Sequence, residues 1–226
     1  MSQTIYQAAT WIIPLVIAIV FHEVAHGWVA RLCGDPTAGR LGRLSLNPVR
    51  HVDPVGTIVL PMALALAGAP IFGWAKPVPV DSRKLRNPRF HMMLVAMAGP
   101  GMNFLLAGLT FVVLGSLIAI FGQAPARFGE FVHANLVNFA IINVMLGVFN
   151  LLPLPPFDGG HIVEGLLPPS LGRRYARLAR YGFPIMILLI VVLPMLSPQA
   201  AIVPKLIGPP VEWILGLGTQ IIALFT

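Results

Sequence analysis

His22-Glu23-Val24-Ala25-His26 stands inside an apolar stretch that runs from Trp11 to Ala30. On a helix, residues four apart share a face, so His22 and His26 point the same way. Two imidazoles so placed can hold one zinc ion. Glu23, their neighbour on the same turn, is then positioned to act on a metal-bound water, which is the chemistry of peptide-bond hydrolysis. The apolar setting sharpens this reading, because ionisable groups in hydrocarbon are costly and rarely lack a partner. The bland alternative is a helix whose histidines merely bond to their neighbours.

A catalytic zinc takes three protein ligands and keeps a fourth position open for water. Besides Glu23, the acidic residues are Asp35, Asp53, Asp81, Glu130, Asp158, Glu164 and Glu212. Of these, Asp158 follows an apolar crossing in an unusual context, Asn150-Leu151-Leu152-Pro153-Leu154-Pro155-Pro156-Phe157-Asp158-Gly159-Gly160. The prolines stop a helix and the glycines allow a turn, which sets a carboxylate at a fixed depth. The competing role for Asp158 is an Asx-turn or the N-cap of a helix beginning near His161. His161 itself reads as a helix-start residue near the interface, and His51 as a loop residue bonding Asp53.

The elements that must position these groups lie in a membrane. Of 226 residues, 57% are apolar and 10% charged, and the mean hydropathy is +0.83; about 25% of an average soluble domain is charged. About 20 apolar residues cross the hydrocarbon. By that measure the segments run from about Ala8 to Leu32, Pro54 to Trp74, Met92 to Phe121, Ala134 to Leu152, Phe183 to Leu196 and Ile202 to Phe225. They are expected to form one intramembrane domain over residues 1–226, an all-α bundle of five to six transmembrane helices. The N-terminal run has no basic flank and no small-residue cleavage site, so it reads as a retained helix. A single cysteine, Cys33, excludes an intramolecular disulfide framework and a cysteine-rich metal site.

The net charge is +7, but no basic stretch interleaved with aromatics marks a nucleic-acid surface. The charges follow topology instead. Four basic residues (Arg31, Arg40, Arg43, Arg50) follow the first segment, five (Lys76, Arg83, Lys84, Arg86, Arg89) the second, and four (Arg173, Arg174, Arg177, Arg180) the fourth. If Pro54 to Trp74, with Pro61, Gly68 and Pro70, dips in and returns, these 13 of 15 basic residues are cytoplasmic. The N-terminus is then outside, the C-terminus inside, and His22, His26 and Asp158 all fall at the cytoplasmic leaflet. An ordinary crossing of that segment is the alternative. Gly39 to Pro48 and Ala75 to Val80 are expected to form a small β element on the cytoplasmic side, the second as an extended edge because alternate prolines forbid a helix. Either edge could pair with an extended peptide by strand addition.

Phe21 to His26 together with Asn150 to Gly160 resembles the site-2 proteases, the intramembrane zinc metalloproteases. Phe72-Gly73-Trp74-Ala75-Lys76-Pro77-Val78-Pro79-Val80 and Ala98-Gly99-Pro100-Gly101-Met102-Asn103 resemble the short branch of that family that lacks a PDZ domain. Phe157 stands where Leu is usual and Ala25 where Gly is common. The resemblance implies one Zn2+ held by His22, His26 and Asp158, with Glu23 as general base and Asn150 as a group that helps polarise the scissile carbonyl. It implies cleavage of a transmembrane protein substrate in or near its membrane helix, in a multi-pass protein of the bacterial plasma membrane. The competing class is a non-proteolytic zinc-binding transporter or scaffold. A transporter would spread its polar residues along a path across the membrane, and a scaffold would not need Glu23.

Overall fold

Residues 3–68, 73–122 and 126–225 are described by a computed structural model. Besides a single turn at Thr37–Arg40, its α-helices are α1 (Gln3–Leu32), α2 (Leu60–Leu66), α3 (Pro88–Phe121), α4 (Ala126–Asn150), α5 (Asp158–Leu166), α6 (Pro169–Ala176), α7 (Ala179–Leu196, with a π-helical stretch at Leu188–Val192) and α8 (Ile202–Ala223). Five of them, α1, α3, α4, α7 and α8, are long and apolar enough to cross a membrane. The molecule is an integral, multi-pass α-helical membrane protein, as its composition predicts. At about 1.5 Å per residue, the 34 residues of α3 outrun the roughly 30 Å hydrocarbon core, so α3 extends into the interface. Asn87 starts it, its side chain accepting from Phe90 N, with Pro88 following.

α1, α3 and α4 pack side by side. Ala107 and Phe111 of α3 meet Ala140 and Val144 of α4, and Val211, Ile214 and Ile222 of α8 close over them. Small residues set the spacing. A side chain at Gly147 would strike the Phe104 ring, and one at Gly218 would strike Phe111. This is how helices gain contact in lipid, where apolar burial alone gains little.

The pairing order also fixes direction. Phe104 meets Gly147, and Ala107 and Phe111 further along α3 cluster with Ala140 and Val144 earlier on α4, so α3 and α4 are antiparallel. Phe111 meets Gly218 and Gly115 meets Phe225, so α8 runs parallel to α3. The two helices therefore end on the same side, which corrects the expectation of an inside C-terminus opposite the end of α3. α7 begins beside Pro155, against which Gly182 packs, and five residues separate its end at Leu196 from the start of α8 at Ile202. Pro184, Pro194 and the π-helical stretch interrupt α7.

Pro54 to Trp74 does return on itself. Pro54–Val59 is π-helical and leads into α2. At the far end Trp74 N donates to Gly56 O at 3.1 Å, and Thr57 Oγ1 donates to Trp74 O at 2.9 Å. The two ends of the segment are thus stitched together, as a re-entrant path requires. Residues 69–72, which include Pro70 and Phe72, lie outside the described residues.

The expected β element does not form: there is no strand among the described residues. Residues 41–46 hold a turn and a bend within irregular backbone, and residues 75–80 are unpaired in any ladder. The two stretches do lie together, joined by Arg43, whose Nη2 donates to Lys76 O at 2.8 Å. Pro77 and Pro79 have no N–H to offer a ladder. Lys76 N goes to His51 O and Val78 N to a carboxylate. The second stretch is a strap lying on α1, seated where Gly27 leaves room for Val78.

Candidate metal centre

α1 presents His22 and His26 one turn apart and both buried. Each ring is held at Nδ1: His22 by Asn103 Oδ1 at 2.6 Å, and His26 by the Val95 carbonyl at 2.7 Å. Both acceptors belong to α3. Between them lies Gly99, where a side chain would fall 2.6 Å from His22 Nε2 and would also strike His26 Nε2. The bare backbone of α3 at Gly99 is what gives the imidazole pair its space. Pro100, fully buried just after it, has no N–H and leaves the Ala96 carbonyl without its intrahelical partner.

Asp158 arrives from the other side. It is the first residue of α5, whose N-cap position is Phe157, so its carboxylate is not the cap. The turn that delivers it is pinned from several directions. Phe157 is buried edge-on against Phe149 of α4, centroids 4.6 Å apart. Tyr175 of α6 donates to Pro153 O at 2.9 Å. Gly159 packs onto the Leu151 and Leu152 carbonyls, and Gly160 onto Pro155; neither position has room for a side chain.

The result is a convergence of three groups. His22 Nε2 lies 3.2 Å from Asp158 Oδ2, His26 Nε2 lies 3.4 Å from Asp158 Oδ1, and the two Nε2 atoms are 3.0 Å apart. They form the one His/Cys/Asp/Glu cluster among the described residues with metal-ligand spacing. With the Nδ1 hydrogens turned outward to α3, the two Nε2 atoms bring lone pairs, and Asp158 Oδ2 is buried with no hydrogen-bond donor despite its closeness to His22. Three lone-pair donors facing one point fit a cation. Zn–N bonds of about 2.0–2.1 Å in tetrahedral geometry put ligand atoms roughly 3.3 Å apart, close to the spacings found here.

Glu23 lies beside this group, not in it. It lines the same cavity, of about 700 Å³, and its Oε2 accepts from Val78 N of the strap at 2.8 Å. Asn150, at the end of α4, also lines the cavity, and one N–H of its amide is turned back onto Leu146 O at 3.0 Å. Trp74 and Phe183 close one edge as a perpendicular ring pair, centroids 5.3 Å apart. A second cavity of about 420 Å³ shares Val80, Met92 and His161 with the first and reaches Arg89 and Arg173.

A protein-family model, described as peptidase family M50, matches residues 10–130 and 113–193. The chain belongs to peptidase family M50. YwhC of Bacillus subtilis, named as a candidate zinc metalloprotease, is 39% identical over 180 residues, 80% of this chain and 79% of that protein. Rip2 of Mycolicibacterium smegmatis, named likewise, is 30% identical over 184 residues, 81% of this chain and 65% of that protein. A zinc metalloprotease of Methanocaldococcus jannaschii is 23% identical over 172 residues, covering 76% of this chain and 38% of its own length. No solved structure matches the chain significantly. The M50 match spans α1, α3, α4 and α5, the helices that bring His22, His26 and Asp158 together.

Two features of this M50 chain are poorly legible in its sequence. The Val95 carbonyl that holds His26 has no side-chain signature, and the Val78 N–H on Glu23 is backbone from a loop. Asn103 does carry a signal, an amide inside an apolar helix, but its partner on α1 is set by packing. His51 departs from expectation. It is buried and bonds Ser45 O at 2.8 Å, while Asp53 accepts from Val55 N and Gly56 N instead. Those free N–H groups at a helical start outcompete a loop imidazole for the carboxylate.

Proposed function

We propose that this chain is a zinc-dependent endopeptidase that cleaves a peptide bond in or near the membrane helix of a protein substrate. The observation that carries the reading is the convergence of His22, His26 and Asp158 beside, and not including, Glu23. In this reading the described helices act as one intramembrane protease domain over residues 1–226. His22, His26 and Asp158 would hold one Zn2+, which would supply a water acidified toward neutral pH and a Lewis acid for the scissile carbonyl. Glu23 takes the proton of the attacking water and returns it to the leaving amine. The second N–H of the Asn150 amide donates to the oxygen on which negative charge develops.

The reacting bond must be unwound, since helical hydrogen bonding shields its carbonyl. Trp74, Phe183 and Met186 give the cavity an apolar edge suited to a helix arriving from lipid. The second cavity, with Arg89 and Arg173, gives water a way in from the basic surface, which by charge distribution is the cytoplasmic leaflet of a plasma membrane. A zinc transporter is disfavoured by the same geometry, because the ionisable groups gather at one end of α1 and α3 and do not line a path through the bundle.

The test is purified protein incubated with a labelled membrane-spanning peptide, with and without chelator, alongside Glu23→Gln. The wild type should cleave and lose activity to the chelator. Glu23→Gln should retain zinc by metal analysis while turnover falls by at least about 10²–10⁴-fold. Normal cleavage by the variant would sink the mechanism.

A further inference from the structure

Behind His22 runs a chain of buried amides that the proposed reaction does not use. His22 Nδ1 meets Asn103 Oδ1 at 2.6 Å, Asn103 Nδ2 donates to Asn143 Oδ1 at 2.8 Å, and Asn143 Nδ2 donates to Phe139 O at 2.8 Å. The chain links α1, α3 and α4 at one level of the bundle. Asn103 and Asn143 are 0% exposed, so no solvent water can replace a missing partner.

Its direction is forced from the far end. Phe139 O is a backbone carbonyl and only accepts. Asn143 must turn its NH2 group toward it, which leaves its oxygen facing Asn103. Asn103 must then turn its own NH2 toward Asn143, which leaves its oxygen facing His22. An amide oxygen only accepts as well, so the hydrogen of neutral His22 sits on Nδ1 and the Nε2 lone pair faces Asp158. The backbone carbonyl of Val95 imposes the same tautomer on His26.

We propose that Asn103 and Asn143 are positioning residues. They set the tautomer and ring angle of His22 from two helices away, so the centre is ordered before an ion arrives. This inference rests on the zinc reading above. Partners of this kind, which fix a ligating histidine through its other nitrogen, raise metal affinity without touching the metal.

The experiment uses the full chain in detergent with 15N-labelled histidine, as wild type, Asn103→Leu, Asn103→Asp and Asn143→Leu. Two quantities are read: the His22 tautomer in metal-free protein, from its 15N shifts, and zinc affinity by chelator competition. Wild type should show the Nδ1–H form. Asn103→Leu should lose it and bind zinc about 10–100-fold more weakly than wild type. Asn103→Asp, which still accepts from Nδ1–H but as a carboxylate no longer donates to Asn143 Oδ1, and Asn143→Leu, in which Asn103 keeps its oxygen but loses what orients it, should both fall between wild type and Asn103→Leu. Wild-type affinity and tautomer in Asn103→Leu would overturn the proposal. If that variant does not fold, wild-type affinity and tautomer in Asn143→Leu would overturn it instead. A wild-type chain with the Nδ1–H tautomer that takes up no zinc supports the relay and overturns the metal reading, so the two failures are separable.

Discussion

In its most apolar window α1 is 39% buried, and α3 and α4 are each 28% buried; α7 reaches 17% and α8 only 6%. α3 is the most apolar of the five and α7 is slightly more apolar than α1, yet both are less buried than α1, so hydrophobicity does not set the order. Small residues also seat α7 at Gly182 and α8 at Gly218, so what separates the two sets is where the buried polar residues lie. α1, α3 and α4 bring Gly99, Asn103, Asn143 and Gly147 to their seams, and the buried histidines lie there too. α8 shows Trp213 and Leu206 to the lipid and offers the centre no group. α7 contributes ring and thioether surface at the cavity edge through Phe183 and Met186. In a bilayer, lipid tails satisfy a leucine as well as another helix does, so close approach and hydrogen bonding decide which helices form the core. The chemistry sits where those two are concentrated.

The comparison breaks if the inner set can lose a ligand without consequence. Asp158→Asn should abolish cleavage and weaken zinc binding beyond the roughly 10–100-fold typical of a residue that only supports a ligand. Asp53→Asn and Glu164→Gln should leave zinc in place. Full zinc and activity in Asp158→Asn would mean that another group closes the centre. Gly99→Ala comes next. Its methyl would strike both imidazoles, so α3 must shift from α1 at a cost of about 1–3 kcal/mol, with reduced zinc retention in the folded fraction. A wild-type melting temperature and zinc content in that variant would show that the seam is looser than described.

Phe183→Ala sharpens the outer half of the comparison. It should leave zinc content unchanged and remove a ring pair worth about 0.5–1.5 kcal/mol, altering KM for a membrane-spanning peptide more than kcat. Loss of zinc would place α7 in the core set after all. The smallest effect is expected in the loops.

Burial works against the charge of Asp35, but hydrogen bonds from the Thr37 hydroxyl, Asp81 N–H and Thr37 N–H, with nearby Lys84, hold its carboxyl below the usual range. The Arg83 side chain, opposed by desolvation and aided by Arg83 N–H and Lys84, holds Asp81 at about 2. A depressed carboxyl binds fewer protons folded than unfolded, so its stabilisation is present above the ordinary value near 4 and fades as pH falls through the lowered one. Protease resistance of residues 33–37 and 81–86 should therefore be flat at pH 5–7 and fall only on acidification below about 4. A loss near pH 6 would point to another group.

Much of the centre was legible in the chain. The four-residue spacing of His22 and His26 acts within one helix, and helical geometry alone turns it into a shared face. The proline stop and the Gly159-Gly160 turn mark Asp158 for the same local reason. Segment lengths and composition determine the membrane class, because the thickness of hydrocarbon is fixed. Tertiary structure decided the rest: Asn103 behind His22, Val78 N–H on Glu23, the missing β ladder, and α8 parallel to α3. These are relations between elements tens of residues apart. In helices that are apolar on nearly every side, no stripe of hydrophobicity says which face turns inward. Only the fit of glycines against rings, and of amides against one another, selects the pairing.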